Sequence, residues 1–141
     1  MSSPTTSEPA HHWLLDTTRI GIVLTTRDDG SPIGVPIWFD WDSDGVRMFA
    51  GRTSGKIERL ERDSRASVLV TNTVGEPEGW VAFDGTVEIS ESGGVELAAE
   101  LADRYWDLND PISRERLDGW LQHPGEFRLL TLRPERVRSG Q

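Results

Sequence analysis

The chain has 141 residues, enough to bury a core without disulfides or a metal, and its 35% apolar content with six tryptophans is that of a folded protein. It contains no cysteine, which excludes disulfides, thiolate metal sites, iron–sulfur clusters and cysteine nucleophiles together, and this suits a reducing cytoplasm. A net charge of −9 argues against a nucleic-acid partner, whose phosphates demand a basic surface.

Residues 1–10 read as a polar, disordered tail without the basic start and apolar run of a secretion signal, and residues 11–138 as a single domain. No apolar stretch approaches the ~20 residues of a membrane span, so no membrane association is expected. HHWLLDTT (11–18) suggests a short helix, and RIGIVLTTR (19–27) a strand closed by the hairpin turn DDGS (28–31). PIGVPIWFDW (32–41) alternates, with Ile33, Val35, Ile37, Phe39 and Trp41 on one face. Pro36 cannot donate a ladder hydrogen bond, so that strand lies at an edge or is interrupted there. A second turn, DSDG (42–45), leads to VRMFA (46–50).

Next comes GRTSGKIERLERD (51–63), a loop followed by a helix. Ser54 is a good N-cap, Ile57 and Leu60 give the apolar side, and Glu58–Arg62 is an i,i+4 pair in the favoured order. RASVLVTN (65–72) is a strand. WVAFDGTVEIS (80–90) is another, with Gly85 marking a bulge or a close approach. Helices are predicted over 92–108 and 112–122, and a closing strand from 125 that Pro134 should end. Six short strands, mostly joined as antiparallel hairpins, with peripheral helices, predict a mainly β fold. Closure into a small barrel removes exposed edges.

Lys56 is the only lysine, and with Arg52, Arg59, Arg62 and Arg65 it puts five of the fifteen positive charges within fourteen residues. GRTSGK offers backbone N–H groups at its glycines, the hydroxyls of Thr53 and Ser54, and a helix N-terminus, all suited to a phosphate. It lacks the spacing of a Walker loop. By pattern alone it is equally an ordinary capped surface helix. The aromatic run PIWFDW reads first as core, and Trp80, Trp106 and Trp120 as packing against a barrel. His11, His12 and His123 have no metal-ligand spacing, and no nucleophile elbow or carboxylate pair stands out. An enzyme with this sequence would draw its chemistry from a bound cofactor.

The order of IGIVLTTRDDGSPIGVPIWFDWD (20–42), GVRMFAGRTSGKIERLERDSRASVLVTN (45–72) and WVAFDGTVEI (80–89) resembles the pyridoxamine 5′-phosphate oxidase-like, FMN-binding split-barrel family. The resemblance implies a six-stranded antiparallel split barrel. It places the phosphate of FMN, or of the 8-hydroxy-5-deazaflavin coenzyme, at Arg52, Thr53, Ser54 and Lys56. The ring system would lie along Val35, Pro36, Ile37 and Trp38, next to the backbone of Ala50 and Gly51. It also implies a homodimer with the cofactor at the subunit interface, within reach of Trp80, Trp106 or Trp120 from the second chain. The expected activity is hydride transfer to or from a small organic substrate, with a non-catalytic flavin or haem carrier as the alternative. Two departures set the chain apart from vitamin oxidases: Gly55 stands where they carry an arginine, and PGEFRLLTLRPERVR (124–138) lacks their basic, aromatic closing segment.

Overall fold

Alternation of apolar and polar residues builds one antiparallel sheet. The computed structural model describes residues 12–140, so the tail predicted over 1–10 lies outside them, as does His11. The strands are β1 (Gly21–Thr26), β2 (Pro32–Ile37), β3 (Asp40–Asp42), β4 (Gly45–Gly51), β5 (Arg65–Thr71), β6 (Trp80–Ser90) and β7 (Phe127–Gly140). Their order across the sheet is β2-β1-β5-β6-β7-β4-β3. β1 buries Gly21, Val23 and Thr25 and turns Ile22, Leu24 and Thr26 outward.

Seven strands replace the six expected, because the long second strand divides. β2 is an edge strand pairing only with β1, which satisfies the constraint set by Pro36. After Ile37 the chain leaves that ladder, and after the two-residue bridge Trp38–Phe39 it joins the opposite edge of the sheet as β3. Two residues therefore tie the two ends of the sheet together, and the sheet curls into a barrel split at that bridge. Inside lie Val23, Val46, Met48, Val68, Val70, Val81, Phe83, Leu130 and Leu132, all nearly inaccessible to solvent.

Two glycines are decided by the backbone around them. Gly45 has φ +141 in the β3–β4 turn. Gly85 sits at a register shift of the β6–β7 ladder opposite Pro134, which is the bulge that the sequence suggested. This pairing also explains why Pro134 does not end β7, as expected, but is carried through to Gly140: a bulge is a place where the missing N–H costs no ladder bond.

Among the described residues three α-helices pack outside: α1 (Gly55–Arg62), α2 (Gly94–Tyr105) and α3 (Pro111–Leu121). α1 buries Ile57 and Leu60, as its periodicity predicts, but Arg62 reaches Asp28 and the carbonyl of Thr26 instead of pairing with Glu58. α2 buries Val95, Leu97, Ala98, Leu101 and Ala102, whereas α3 buries only Leu117. The helix expected over 11–18 is reduced to one 3₁₀ turn, His12–Leu14. No described helix is long and apolar enough to cross a membrane.

Candidate functional site

β4 ends at Gly51, and the backbone turns there, Ser54 N–H bonding the Gly51 carbonyl at 2.9 Å. Ser54 takes an extended conformation as N-cap of α1, and its hydroxyl accepts from the Lys56 N–H at 3.2 Å. The predicted loop and helix start are therefore where the sequence put them. Arg52 points away from the helix axis to the short 3₁₀ turn Pro124–Glu126: its N–H bonds the Glu126 carbonyl at 2.8 Å and its Nε the Glu126 carboxylate at 2.9 Å. Arg59 donates from Nε to the Thr25 hydroxyl at 2.9 Å, and its guanidinium lies over Gly55.

Lys56 differs from these arginines. It is half-buried, and its ammonium has no ion-pair or hydrogen-bond partner among the described residues. Burial, and after it the charge of Arg59, holds its pKa below the ordinary lysine value. It lines a cleft of about 450 Å³ whose other walls are Ile20, Pro36, Ile37, Trp38, Phe49, Trp106 and Trp120. One larger groove exists elsewhere, but its charged lining is taken up in arginine–carboxylate pairs such as Arg62–Asp28 and Arg136–Asp84. The cleft joins aromatic walls to a cation that has no partner among the described residues. That combination suits a planar ring with an anionic tail.

The aromatic wall is a connected unit drawn from five parts of the chain. Trp38 stands edge-on to Trp106 at 4.9 Å between centroids and stacks on Tyr105 at 5.0 Å and 10°. Trp106 and Trp120 are 5.1 Å apart, and Trp120 meets Phe49 and Phe127 at 5.7 and 5.6 Å. Neither Tyr105 nor Phe127 was expected at the site: the helical periodicity over 92–108 marks Tyr105 only as one of its apolar positions, with Val95, Leu97, Ala98 and Leu101.

Of the expected site residues, Pro36, Ile37, Trp38 and Lys56 meet in this cleft, with Ser54 and Thr53 at the helix end beside it. Val35 packs against the core, and Ala50 is buried within β4, both behind the cleft. Trp106 and Trp120, expected to face a second subunit, line the cleft of their own chain. Trp80 does not reach it. Trp80 lines a separate groove with Leu24, Leu69, Thr71 and Arg138, whose guanidinium lies 5.7 Å from the indole centroid. Among the described residues no cluster of three or more histidines and carboxylates could hold a metal.

The sequence profile described as pyridoxamine 5′-phosphate oxidase matches residues 7–139, nearly the whole chain. The chain belongs to the pyridoxamine 5′-phosphate oxidase-like family. Solved structures agree in fold. An F420 reductase superposes with a TM-score of 0.75 at 21% identity, covering 92% of this chain and 97% of that one. General Stress Protein 26 from Bacillus anthracis gives 0.63 at 20% identity, over 90% and 88%. The haem storage protein HutZ from Vibrio cholerae gives 0.66 at 18% identity, over 93% and 92%. No curated protein is significantly similar to the chain in sequence. At these identities the solved structures establish the split-barrel fold. Family membership rests on the profile.

Proposed function

We propose that this chain is an oxidoreductase that binds FMN or the 8-hydroxy-5-deazaflavin coenzyme in the Lys56 cleft and passes a hydride to or from a small organic substrate. The observation that carries this reading is the half-buried Lys56 ammonium at the helix start, without a partner among the described residues and lining one cleft with three tryptophans. A buried cation without a counter-ion is costly, and an anionic ligand relieves that cost. Lys56, the Ser54 hydroxyl, Thr53 and the N–H groups opening α1 would hold the phosphate, and Arg52 would join them on release from Glu126. Pro36, Ile37 and Trp38 would border the ring system. When bound, the flavin or deazaflavin supplies the hydride chemistry, and the protein orients the ring and keeps water from it. The likeness to an F420 reductase favours the deazaflavin as a candidate, and the likeness to a haem storage protein raises the carrier alternative. Among the described residues no histidine lines the cleft, so these residues offer haem no imidazole ligand there.

The deciding experiment is a titration of the purified protein with FMN and with the deazaflavin, followed by tryptophan quenching, and then assay for turnover. Binding of one coenzyme with quenching is expected. Absence of binding by both would remove the proposal, and binding without turnover over a substrate panel would favour a carrier.

We also propose a homodimer formed across the outer sheet face. Register places Gly34 and Pro36 of β2, Ile22 and Leu24 of β1, Leu69 of β5, and Trp80 of β6 on the same outer face. Ile20, 51% exposed, and Pro36 belong both to this region and to the cleft. A copy seated here would bring Trp80 of the partner subunit toward the cofactor. Leu24→Glu should raise the dimer dissociation constant by about 100-fold, because a carboxylate would be buried without a partner. Sedimentation of parent and variant checks this; a monomeric parent at micromolar concentration would refute it.

A further inference from the structure

The bridge Trp38–Phe39 has left both ladders, so the backbone polar groups of Phe39 need other partners. They find one hydroxyl. Tyr105, the last residue of α2, accepts from the Phe39 N–H at 3.2 Å and donates to the Arg19 carbonyl at 2.5 Å, with the Phe39 carbonyl 3.3 Å away. Arg19 is itself fixed. Its buried guanidinium makes a two-pronged pair with Glu76 at 2.6 and 2.7 Å, and it covers Trp13 at 5.1 Å from the ring centroid. The carbonyl to which Tyr105 donates is thus part of a rigid support.

The same tyrosine touches the cleft wall from behind. Its ring lies parallel to Trp38, 10° apart with centroids at 5.0 Å, while Trp106 holds the indole edge-on from another side. Trp38 lines the cleft and Tyr105 does not. We propose that Tyr105 is a positioning residue: its hydroxyl fixes the β2–β3 bridge and its ring sets the plane of Trp38, so that Trp38 meets the cofactor ring already oriented. This rests on the reading of the Lys56 cleft as a cofactor site. Pre-setting an aromatic plane removes the ordering cost that a free indole would charge on binding.

The test is a double-mutant cycle on coenzyme affinity with Tyr105→Phe and Trp38→Phe. Tyr105→Phe should weaken binding of the coenzyme by about tenfold, the effect of one lost hydrogen-bonded support. In the Trp38→Phe background the same change should have almost no effect, because its target is gone. Additive effects would overturn the proposal, since a merely structural tyrosine acts whether or not Trp38 is present. Near-UV circular dichroism of the protein without coenzyme gives a second readout. Tyr105→Phe should lose part of the tryptophan signal that Trp38→Phe also loses, and a spectrum identical to the parent's would refute the idea. If the parent binds neither coenzyme, the functional proposal fails while the dichroism comparison still decides the positioning role. Tyr105→His, which keeps a ring and a donor, serves if Tyr105→Phe does not fold, and should fall between parent and Trp38→Phe in the dichroism.

Discussion

Lys56→Ala should weaken coenzyme binding by about 2 kcal/mol, roughly thirtyfold in Kd, the value of a charge-assisted contact in a partly shielded site. The fold should survive, because the Lys56 ammonium has no partner among the described residues and its N–H, which bonds the Ser54 hydroxyl, is retained in alanine. Removing an unpaired, partly buried charge should leave the thermal midpoint unchanged or slightly raised. Fluorescence titration read beside a melting curve separates the two effects. Wild-type affinity in the alanine variant would show that the phosphate lies elsewhere.

The same lysine sets a pH dependence. Its pKa already lies below the ordinary value, through burial first and Arg59 second, so it loses its proton at a lower pH than a surface lysine. A phosphate beside it favours the ammonium. Affinity should therefore be full at neutral pH and fall as pH rises through that lowered value. Lys56→Arg keeps its charge throughout this range, so any binding it retains should not show the alkaline fall.

Much of this architecture is written locally. Residues 20–26, 46–50 and 65–71 alternate, and their strands follow; Ser54 caps the helix that it was expected to cap. Gly85 marked its bulge because a missing side chain in a strand has few other uses. The division of residues 32–42 into two strands was legible only in part: Pro36 left an interruption open, but nothing in the pattern placed the break after Ile37 or sent β3 to the opposite edge. The apolar alternation continues unbroken through Phe39 and Trp41, which do pack inward, while the hydrogen-bonding partner changes from β1 to β4. Alternation reports which face a residue takes and says nothing of which neighbour it pairs with.

The candidate site was half legible for a similar reason. Lys56 and its loop announce themselves by composition over six residues. The aromatic wall gathers positions 38, 49, 105, 106, 120 and 127, which only the packing of α2 and α3 against the barrel brings together. Tyr105 was read as one more apolar helix position, since its role depends on backbone groups of Arg19 and Phe39, 86 and 66 residues away in sequence. Trp80 shows the converse. Grouped with the site by resemblance, it stands on another face of its own chain, and only a second copy could return it to the cleft.

Gly85→Ala should be strongly destabilising for a change of one methyl group. A methyl group at Gly85 would collide with the Arg133 carbonyl oxygen and lie 2.8 Å from its carbon and 3.0 Å from the Pro134 Cα, all backbone atoms of β7 that cannot swing aside. Relief requires moving β7 away from β6 at the bulge, where β6 carries the inward Val81, Phe83 and Val87 into the core. A cost of about 3 kcal/mol follows from overpacking against an unyielding wall, which lowers Tm by about 10 °C for a chain of this size. Gly119→Ala is the matched control. Gly119 is exposed in α3 with nothing within 4 Å of the added carbon, so alanine there should stabilise by about 0.5–1 kcal/mol through helix propensity. Calorimetry of the two variants should move in opposite directions from the parent. If Gly85→Ala melted with the parent, the two strands would have to cross farther apart than the β6–β7 register allows, and the bulge that carries Pro134 through the barrel would be misplaced.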